Sequence, residues 1–470
     1  MRSRVEKLGL IGLGLVAGVL LGLQLPALAA KEAAAPLPLA ELRAFSDVFG
    51  RIKSDYVEPV TDKQLITSAI NGMLSGLDPH SAYLDEKAFK ELREGTQGEF
   101  GGLGIEVGME DGLVKVISPI EDTPAYHAGL KTGDLIIKLD DTLVKGMTLN
   151  DAVSRMRGKP GSKIILTVLR KNEPKPLVFT LTRAIIKVKS VKYKLLEPGY
   201  GYVRITQFQE RTGKNLATAL EALDKQSKGQ MHGLVLDLRN DPGGLLTSAV
   251  AVSSAFLPKD SLVVYTDGRT DDSKMRLKAI PDDYLRGNSK SDYLKKLPDI
   301  FKSVPIVVLV NGGTASASEI VSGALQDHKR AVIMGTQTFG KGSVQTILPL
   351  GNDTAIKLTT ARYYTPNGRS IQVKGITPDI MVEDPATADQ ENTLSLREGD
   401  LEHHLINNTL APKSVQPQSE KRKNASPSSN RSQPEEENGK PTMTVFGSKN
   451  DYQLTQAMNL LKGMNILQGK

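Results

Sequence analysis

The chain of 470 residues contains no cysteine. This absence excludes a thiol nucleophile, thiolate metal ligands and disulfide bonds, although it is compatible with any cellular compartment. The net charge of +7 lies partly in the first residues and in a polar tail, so it indicates a mildly basic surface and no nucleic-acid partner. With 39% hydrophobic and 24% charged residues, the chain can form two or three domains with their own cores.

The amino terminus predicts export. Three basic residues within positions 2–7 precede an uncharged run from Leu8 that reads LGLIGLGLVAGVLLGLQL, and the small-residue pattern of residues 27–29 follows. These features are typical of a secretory signal peptide, here residues 1–29. The alternative is an uncleaved anchor, because the run approaches membrane-spanning length. In both cases the remaining chain is expected in the periplasm, either soluble or anchored to the inner membrane.

The two ends of the mature chain are predicted to be helical. In residues 36–95, apolar residues recur at helical spacing, and such stripes must be buried on the next domain or on a second copy. Residues 411–441 contain almost no apolar residue, which predicts a disordered linker within the segment 391–448. An amphipathic helix is expected in residues 449–470, docked on another surface such as a partner subunit.

Two domains are predicted between these ends. Residues 96–188 contain short β-like runs separated by glycines and one helix that begins near Thr148, which predicts a β-rich domain. In residues 189–390, continuous apolar strands alternate with helices, which predicts an α/β core on a largely parallel sheet. An extended segment at 355–364 is expected to close this sheet.

A glycine-rich loop in the β-rich domain indicates peptide binding. The loop reads Gly101-Gly102-Leu103-Gly104-Ile105, and Ala128-Gly-Leu-Lys-Thr-Gly-Asp-Leu-Ile136 follows it. Alone, these glycines would be ordinary turn residues, but the two motifs together resemble a PDZ domain. Such a loop points backbone N–H groups at a terminal carboxylate, and the strand beyond it pairs with the peptide. The N–H groups of residues 102–105 are therefore the predicted carboxylate-binding site.

A serine stands where a predicted strand passes into a helix, in Asn311-Gly-Gly-Thr-Ala-Ser316-Ala-Ser-Glu319. The free N–H groups of a helix N-terminus favour a developing negative charge. This position suits Ser316 as a nucleophile and the Ala317 N–H as an oxyanion donor. The alternative is structural: Ser316 and Glu319 fit an S-x-x-E capping box, and spacing alone favours that role.

A nucleophilic serine needs a base. Of the six histidines, only His328 is close in sequence, and its charged helix end favours a surface histidine. The alternative base is Lys341, which Gly340 and Gly342 flank so that the backbone can take an unusual path. A lysine acts as a base only when neutral, so burial must lower its pKa from about 10.4. Gln345 would orient the amine without adding charge.

Both segments together resemble the carboxyl-terminal processing peptidases, or tail-specific proteases. The resemblance extends from the signal peptide to about residue 385, plus the last helix, and implies a ClpP/crotonase-like protease core. It implies that Ser316 is the nucleophile, Lys341 the base and Gln345 its orienting partner. The family turn is matched by Asp237-Leu-Arg-Asn-Asp-Pro-Gly243-Gly244, where one of the two glycines supplies the second oxyanion N–H. Val373 departs from the pattern, because the family often has glycine there.

The resemblance implies an exported serine endopeptidase that cleaves the C-terminal regions of exported or partly unfolded proteins under control of its PDZ domain. It implies no metal or cofactor. The expected partners are protein tails, a second copy in a homodimer or larger homo-oligomer, and an adaptor protein. The rivals are a non-catalytic peptide-binding scaffold, a histidine-triad protease and an acyl-CoA-processing enzyme on a similar sheet. The histidine-triad reading needs a G-x-S-G-G motif, which the chain lacks.

Overall fold

A computed structural model describes residues 37–120, 122–285, 291–383, 385, 396–407, 447–448, 450–467 and 469. The predicted signal peptide and the segment 411–441 lie outside these residues. Two compact units divide the chain, Met1–Ile70 and Asn71–Lys470. No helix of the described residues is long and apolar enough to cross a membrane.

The predicted helical region begins with two helices. Its elements are α1 (Leu39–Asp55), α2 (Asp62–Ser75), β1 (Ala82–Leu84), α3 (Glu86–Gln97) and β2 (Glu99–Gly102). No residue of α1 is buried, and its Leu42 and Phe45 are 47% and 46% exposed. The apolar stripe of α1 is thus exposed.

The β-rich domain has the predicted architecture. Its elements are β3 (Ile105–Glu110), β4 (Leu113–Pro119), α4 (Pro124–His127), β5 (Leu135–Leu139), β6 (Thr142–Leu143), α5 (Leu149–Met156), β7 (Lys163–Leu169), β8 (Leu177–Thr182) and β9 (Ala184–Lys187). The sheet order is β3-β4-β5-β7-β8, with β6 beside β5, while β9 pairs with β2. The helix α5 begins as predicted, because Thr148 and Asp151 form a capping box.

The α/β core follows. Its elements are β10 (Val191–Glu197), β11 (Tyr200–Ile205), α6 (Thr212–Gln226), β12 (Gly233–Asp237), α7 (Leu246–Phe256), β13 (Leu262–Gly268), β14 (Arg276–Lys278), α8 (Pro281–Tyr284), α9 (Ile300–Ser303), β15 (Ile306–Val310), α10 (Ala317–Asp327), β16 (Val332–Gly335), β17 (Ser343–Pro349), β18 (Ala355–Tyr364), β19 (Ile380–Met381) and α11 (Tyr452–Leu467). The main sheet has the order β10-β11-β12-β15-β16-β19. Apart from β10, its strands are parallel, as predicted.

Helices cover both faces of this sheet. Val203 and Leu236 belong to the core shared with α6, α7 and α10, whereas the alternate residues Tyr202 and Val235 belong to the cluster shared with α11. This alternation is the period-two geometry of a strand. Arg239 also binds Asp451, just before α11, at 2.6 Å. The last helix therefore docks on the sheet of its own chain.

Two sequence predictions were wrong in part. The segment 355–364 forms β18, which belongs to a separate antiparallel sheet of order β1-β18-β13-β14 with β17 beside β18. An extended pattern predicts a strand but not its partners, and a hairpin with β17 needs only a short connection. The predicted linker 391–448 includes residues 396–407, where Glu398 and Asn407 are buried. Local composition could not indicate this burial, because the residues that hydrogen-bond to this segment, such as His80, are distant in sequence.

Candidate active site

Ser316 lies at the turn between β15 and α10, directly before the first helical residue. Its φ of 55° is in the left-handed region, which costs a non-glycine residue about 1–3 kcal/mol unless the surroundings fix it. The turn is fixed from the neighbouring loop, because the N–H of Ala315 donates to the carbonyl of Asp241 at 3.0 Å and the Ser318 hydroxyl donates to the same carbonyl at 3.1 Å. The turn therefore holds a partly exposed serine in a strained conformation.

Glu319 joins this turn to the lysine loop. Its buried carboxylate accepts the N–H groups of Ser316 at 2.8 Å, Gly340 at 2.7 Å and Lys341 at 3.0 Å, and the hydroxyl of Thr338 at 2.6 Å. Burial raises the pKa of Glu319 to about 7, although these hydrogen bonds lower it. The bond from the Ser316 N–H is the glutamate's half of the predicted capping box. The helix-cap and catalytic interpretations of this turn are thus compatible.

The glycines around Lys341 are required by close backbone contacts. Gly340 has a φ of 98°, and a Cβ there would lie 2.8 Å from the carbonyl oxygen of Val373. A Cβ on Gly342 would lie 2.3 Å from the N–H nitrogen of Gln372. Val373 itself has a φ of 67°, a conformation that glycine adopts without steric cost. This geometry explains why glycine suits that position.

The electrostatics of Lys341 favour a neutral amine. Burial lowers the pKa of Lys341, and Lys357 lowers it further. Glu398, Glu319 and Asp78 raise the pKa but do not outweigh these effects. The direction is the one that a lysine base requires.

Gln345 is held by its amide nitrogen. Nε2 donates to Ser343 Oγ at 3.0 Å and to Thr359 Oγ1 at 3.2 Å, and no bond to its Oε1 is found among the described residues. Among the residues that the structure describes, no hydrogen bond joins the Lys341 amine to Ser316 or Gln345. The structure therefore brings the two loops together without aligning the three side chains.

The two oxyanion glycines differ. The Gly243 N–H donates to Asp241 Oδ1 at 2.9 Å, whereas the Gly244 N–H has no acceptor in the described residues. A Cβ on Gly243 would lie 2.8 Å from the Ala317 nitrogen and from Ser316 Cβ, so the missing side chain leaves space before the Ala317 N–H. This geometry makes Gly244 and Ala317 the available donors.

Asp241 is a buried group whose role the sequence did not indicate. Its Oδ2 has no hydrogen-bond partner among the described residues, and burial raises its pKa to about 7. The sequence also did not indicate a role for the half-buried His80, whose Nε2 lies 2.8 Å from the buried carboxylate of Glu398. Glu398 is in turn bound by Gln372 at 2.8 Å. His328 is exposed at the end of α10, as predicted.

The predicted peptide groove lies between β3 and α5. It is lined by Phe100, Gly102, Leu103, Gly104, Ile105, Val107, Val153, Met156 and Arg157. The carbonyls of Leu103 and Gly104 accept hydrogen bonds from Ala125 at 3.0 Å and Ile120 at 2.8 Å. Their own N–H groups have no acceptor among the described residues. The loop thus has two donors available for a carboxylate.

The loop after β11 connects this domain to the oxyanion turn. On one side, Arg211 pairs with Glu99 at 2.6 Å, and the Glu210 N–H donates to the Thr96 carbonyl at 3.1 Å. On the other side, the Phe208 N–H donates to the Gly243 carbonyl at 2.8 Å. These three contacts therefore link the segment before the groove residue Phe100 with the turn that contains Gly243.

Comparisons with known proteins identify the families of the domains. The family model "Peptidase family S41" matches residues 199–382, "PDZ domain" matches 101–181, and "Activating protease CtpB N-terminal domain" matches 24–88. The carboxy-terminal-processing protease of Bartonella bacilliformis is 46% identical over 90% of this chain and 88% of its own. The protease CtpB of Bacillus subtilis is 36% identical over 80% and 75%. A solved photosystem II D1 C-terminal processing protease is 33% identical over 72% of this chain and 86% of its own, with a TM-score of 0.40.

Proposed function

The chain belongs to peptidase family S41 as a carboxy-terminal processing protease with a PDZ domain, and from this premise we propose that Ser316 and Lys341 are its catalytic dyad. The observation that carries the proposal is the carboxylate of Glu319, which binds the N–H groups of both residues. One side chain thus sets the distance between the strained serine turn and the loop of a lysine with a lowered pKa.

In the proposed reaction, Ser316 Oγ attacks the peptide carbonyl while the neutral Lys341 amine accepts its proton. The N–H groups of Ala317 and Gly244 stabilise the oxyanion. The lysine then gives the proton to the leaving amine and activates the water that hydrolyses the acyl-enzyme. Gln345 orients the amine through Oε1, since Nε2 is bound elsewhere.

The substrates are proposed to be C-terminal regions of exported or partly unfolded proteins, which the PDZ groove binds by their terminal carboxylate. The side chains of the dyad are not hydrogen-bonded to each other in the described structure, so binding in the groove must align them. The contacts of Glu99 and Phe208 support such gating. We also propose that the exposed apolar stripe of α1 forms the interface of a homodimer. The protein is further proposed to be exported to the periplasm and to bind an adaptor protein there.

The test is digestion of a casein-like unfolded protein. We expect Ser316→Ala and Lys341→Ala to lose at least about 10³-fold in kcat, and His328→Ala to retain wild-type activity. Activity that survives in Lys341→Ala but is lost in His328→Ala would exclude the dyad. Full activity in Ser316→Ala would exclude the nucleophile. A wild-type protein that binds tail peptides without cleaving any substrate would favour the scaffold.

A further inference from the structure

The buried phenol of Tyr363 meets both halves of the active site. Tyr363 is the penultimate residue of β18 and is 2% exposed. Its hydroxyl donates to the carbonyl oxygen of Lys341, while its backbone N–H donates to the Gly342 carbonyl at 3.0 Å. The Ser316 side chain is among the groups that affect this phenol, since it lowers the pKa of Tyr363.

These contacts complete the fixation of the lysine backbone. Glu319 binds the N–H of Lys341, and Tyr363 binds its carbonyl, so side chains from two different elements hold both polar groups of one residue. We propose that Tyr363 is a positioning residue of the protease, which fixes the lysine loop against the serine turn. The proposal rests on the dyad proposed above.

The phenol acts as a neutral group. Burial and the charges of Glu319 and Glu398 keep the pKa of Tyr363 well above its usual value, although the Ser316 contact lowers it. Tyr363 is therefore not a competing base for the serine proton. Its single proton is given to the Lys341 carbonyl.

The test uses the full-length Tyr363→Phe protein, which keeps the buried ring and loses only the hydroxyl. We expect kcat to fall by about 10- to 100-fold with KM within about twofold, because the lysine loop loses its anchor while the substrate-binding surfaces remain. Tyr364→Phe is the matched control. It changes the next residue of β18, whose ring stacks on Tyr265 with centroids 5.0 Å apart.

The pH profile separates positioning from general stability. Activity requires neutral Lys341, so kcat rises as the pH increases through the lysine pKa. Without the hydroxyl, water must solvate the Lys341 carbonyl. Lys341 is then less buried, and because burial is what lowers its pKa, the pKa rises. The groups that face Lys341 are Lys357, Glu398, Glu319 and Asp78, and none is altered. The acidic limb of the profile of kcat against pH should therefore move to higher pH in Tyr363→Phe. The limb of the Tyr364→Phe profile should not move.

The outcomes are distinct. A reduced kcat with the shifted limb and little change in the thermal unfolding midpoint supports the inference. A kcat that is unchanged or increased, or a reduced kcat with an unmoved limb, overturns it. A fluorophosphonate probe that labels wild type but not Ser316→Ala checks the underlying dyad. If the wild-type protein is neither labelled by the probe nor active, the proposed function fails. If the wild-type protein is labelled and active, only the role of Tyr363 is under test.

Discussion

The groove loop of the PDZ domain and the turn of the core that contains Gly243 and Gly244 are the two glycine-rich segments proposed to present backbone N–H groups to oxygen. In the groove loop, adjacent residues Leu103 and Gly104 leave both N–H groups without an acceptor among the described residues. In the core, Asp241 accepts the Gly243 N–H, so the two available donors, Gly244 and Ala317, belong to different turns. The proposed peptide site is built from one loop and the proposed oxyanion site from two.

This difference predicts different sensitivities. A change in the groove loop should act through the tail peptides that bind there, and so impair the cleavage of those substrates. A change at the contact between the two core turns should impair the turnover of every substrate, because it separates the oxyanion donors from Ser316. Hydrogen bonds between the turns, such as that from the Ala315 N–H to the Asp241 carbonyl, are therefore part of the catalytic geometry.

Among changes to these two glycine-rich segments, the largest effect is expected for Gly243→Ala. The new Cβ would lie 2.8 Å from the Ala317 nitrogen, and the φ of 94° is unfavourable for alanine. We expect kcat to fall by about 10²- to 10³-fold, the loss typical of one oxyanion donor, with peptide binding to the groove unchanged. Gly312→Ala is the control, since a Cβ there meets nothing within 4 Å. Equal kcat in both variants would contradict the assigned oxyanion space.

Sequence patterns predicted these sites unevenly. The glycines at 102, 104, 340 and 342 were identified because glycine has a local conformational meaning. The largely parallel arrangement of the main sheet followed from continuous apolar runs alternating with helices. Tyr363 and the pair of His80 with Glu398 were missed, because burial and hydrogen bonding between distant residues leave no local pattern. Composition misassigned Glu398 to a linker for the same reason.

The next largest effect concerns the charge within the oxyanion turn. Burial raises the folded-state pKa of Asp241 from 3.8 to about 7, so this group stabilises the fold below about pH 4 and loses that contribution as the pH rises to about 7. Asp241→Asn cannot ionise. We expect its unfolding free energy to exceed that of wild type by about 2–4 kcal/mol at pH 8 and to match it near pH 4. Denaturant unfolding at both pH values measures this difference.

In that experiment, parallel pH dependences of the two proteins would show that Asp241 ionises in the folded state as it does in the unfolded chain. Asparagine retains an oxygen for the Gly243 N–H, so the variant should keep its activity. The comparison thus separates the geometry of the turn from its charge.

A smaller effect is expected in the groove loop. Gly104 has a φ of 76°, and a Cβ there would lie 2.3 Å from Thr123. Gly104→Ala should weaken binding of a tail peptide by about tenfold, or about 1.4 kcal/mol, measured by fluorescence anisotropy. The control is Gly112→Ala in the same domain, with a φ of 75° but nothing within 4 Å. If both variants weaken binding equally, backbone strain and not the loop contact is responsible.

The smallest effect is expected at the rim of the groove. The guanidinium of Arg157 lies 4.5 Å from the centre of the Phe100 ring, and Arg157 lines the groove beside the free N–H groups. Its side chain is 41% exposed, so its attraction to a terminal carboxylate is screened by solvent. Arg157→Gln should weaken tail binding by about two- to fivefold and reduce its salt dependence. Arg155→Gln, in the last turn of α5 just before Arg157 but outside the groove lining, should do neither. Equal losses in both variants would indicate a general charge effect at this end of α5.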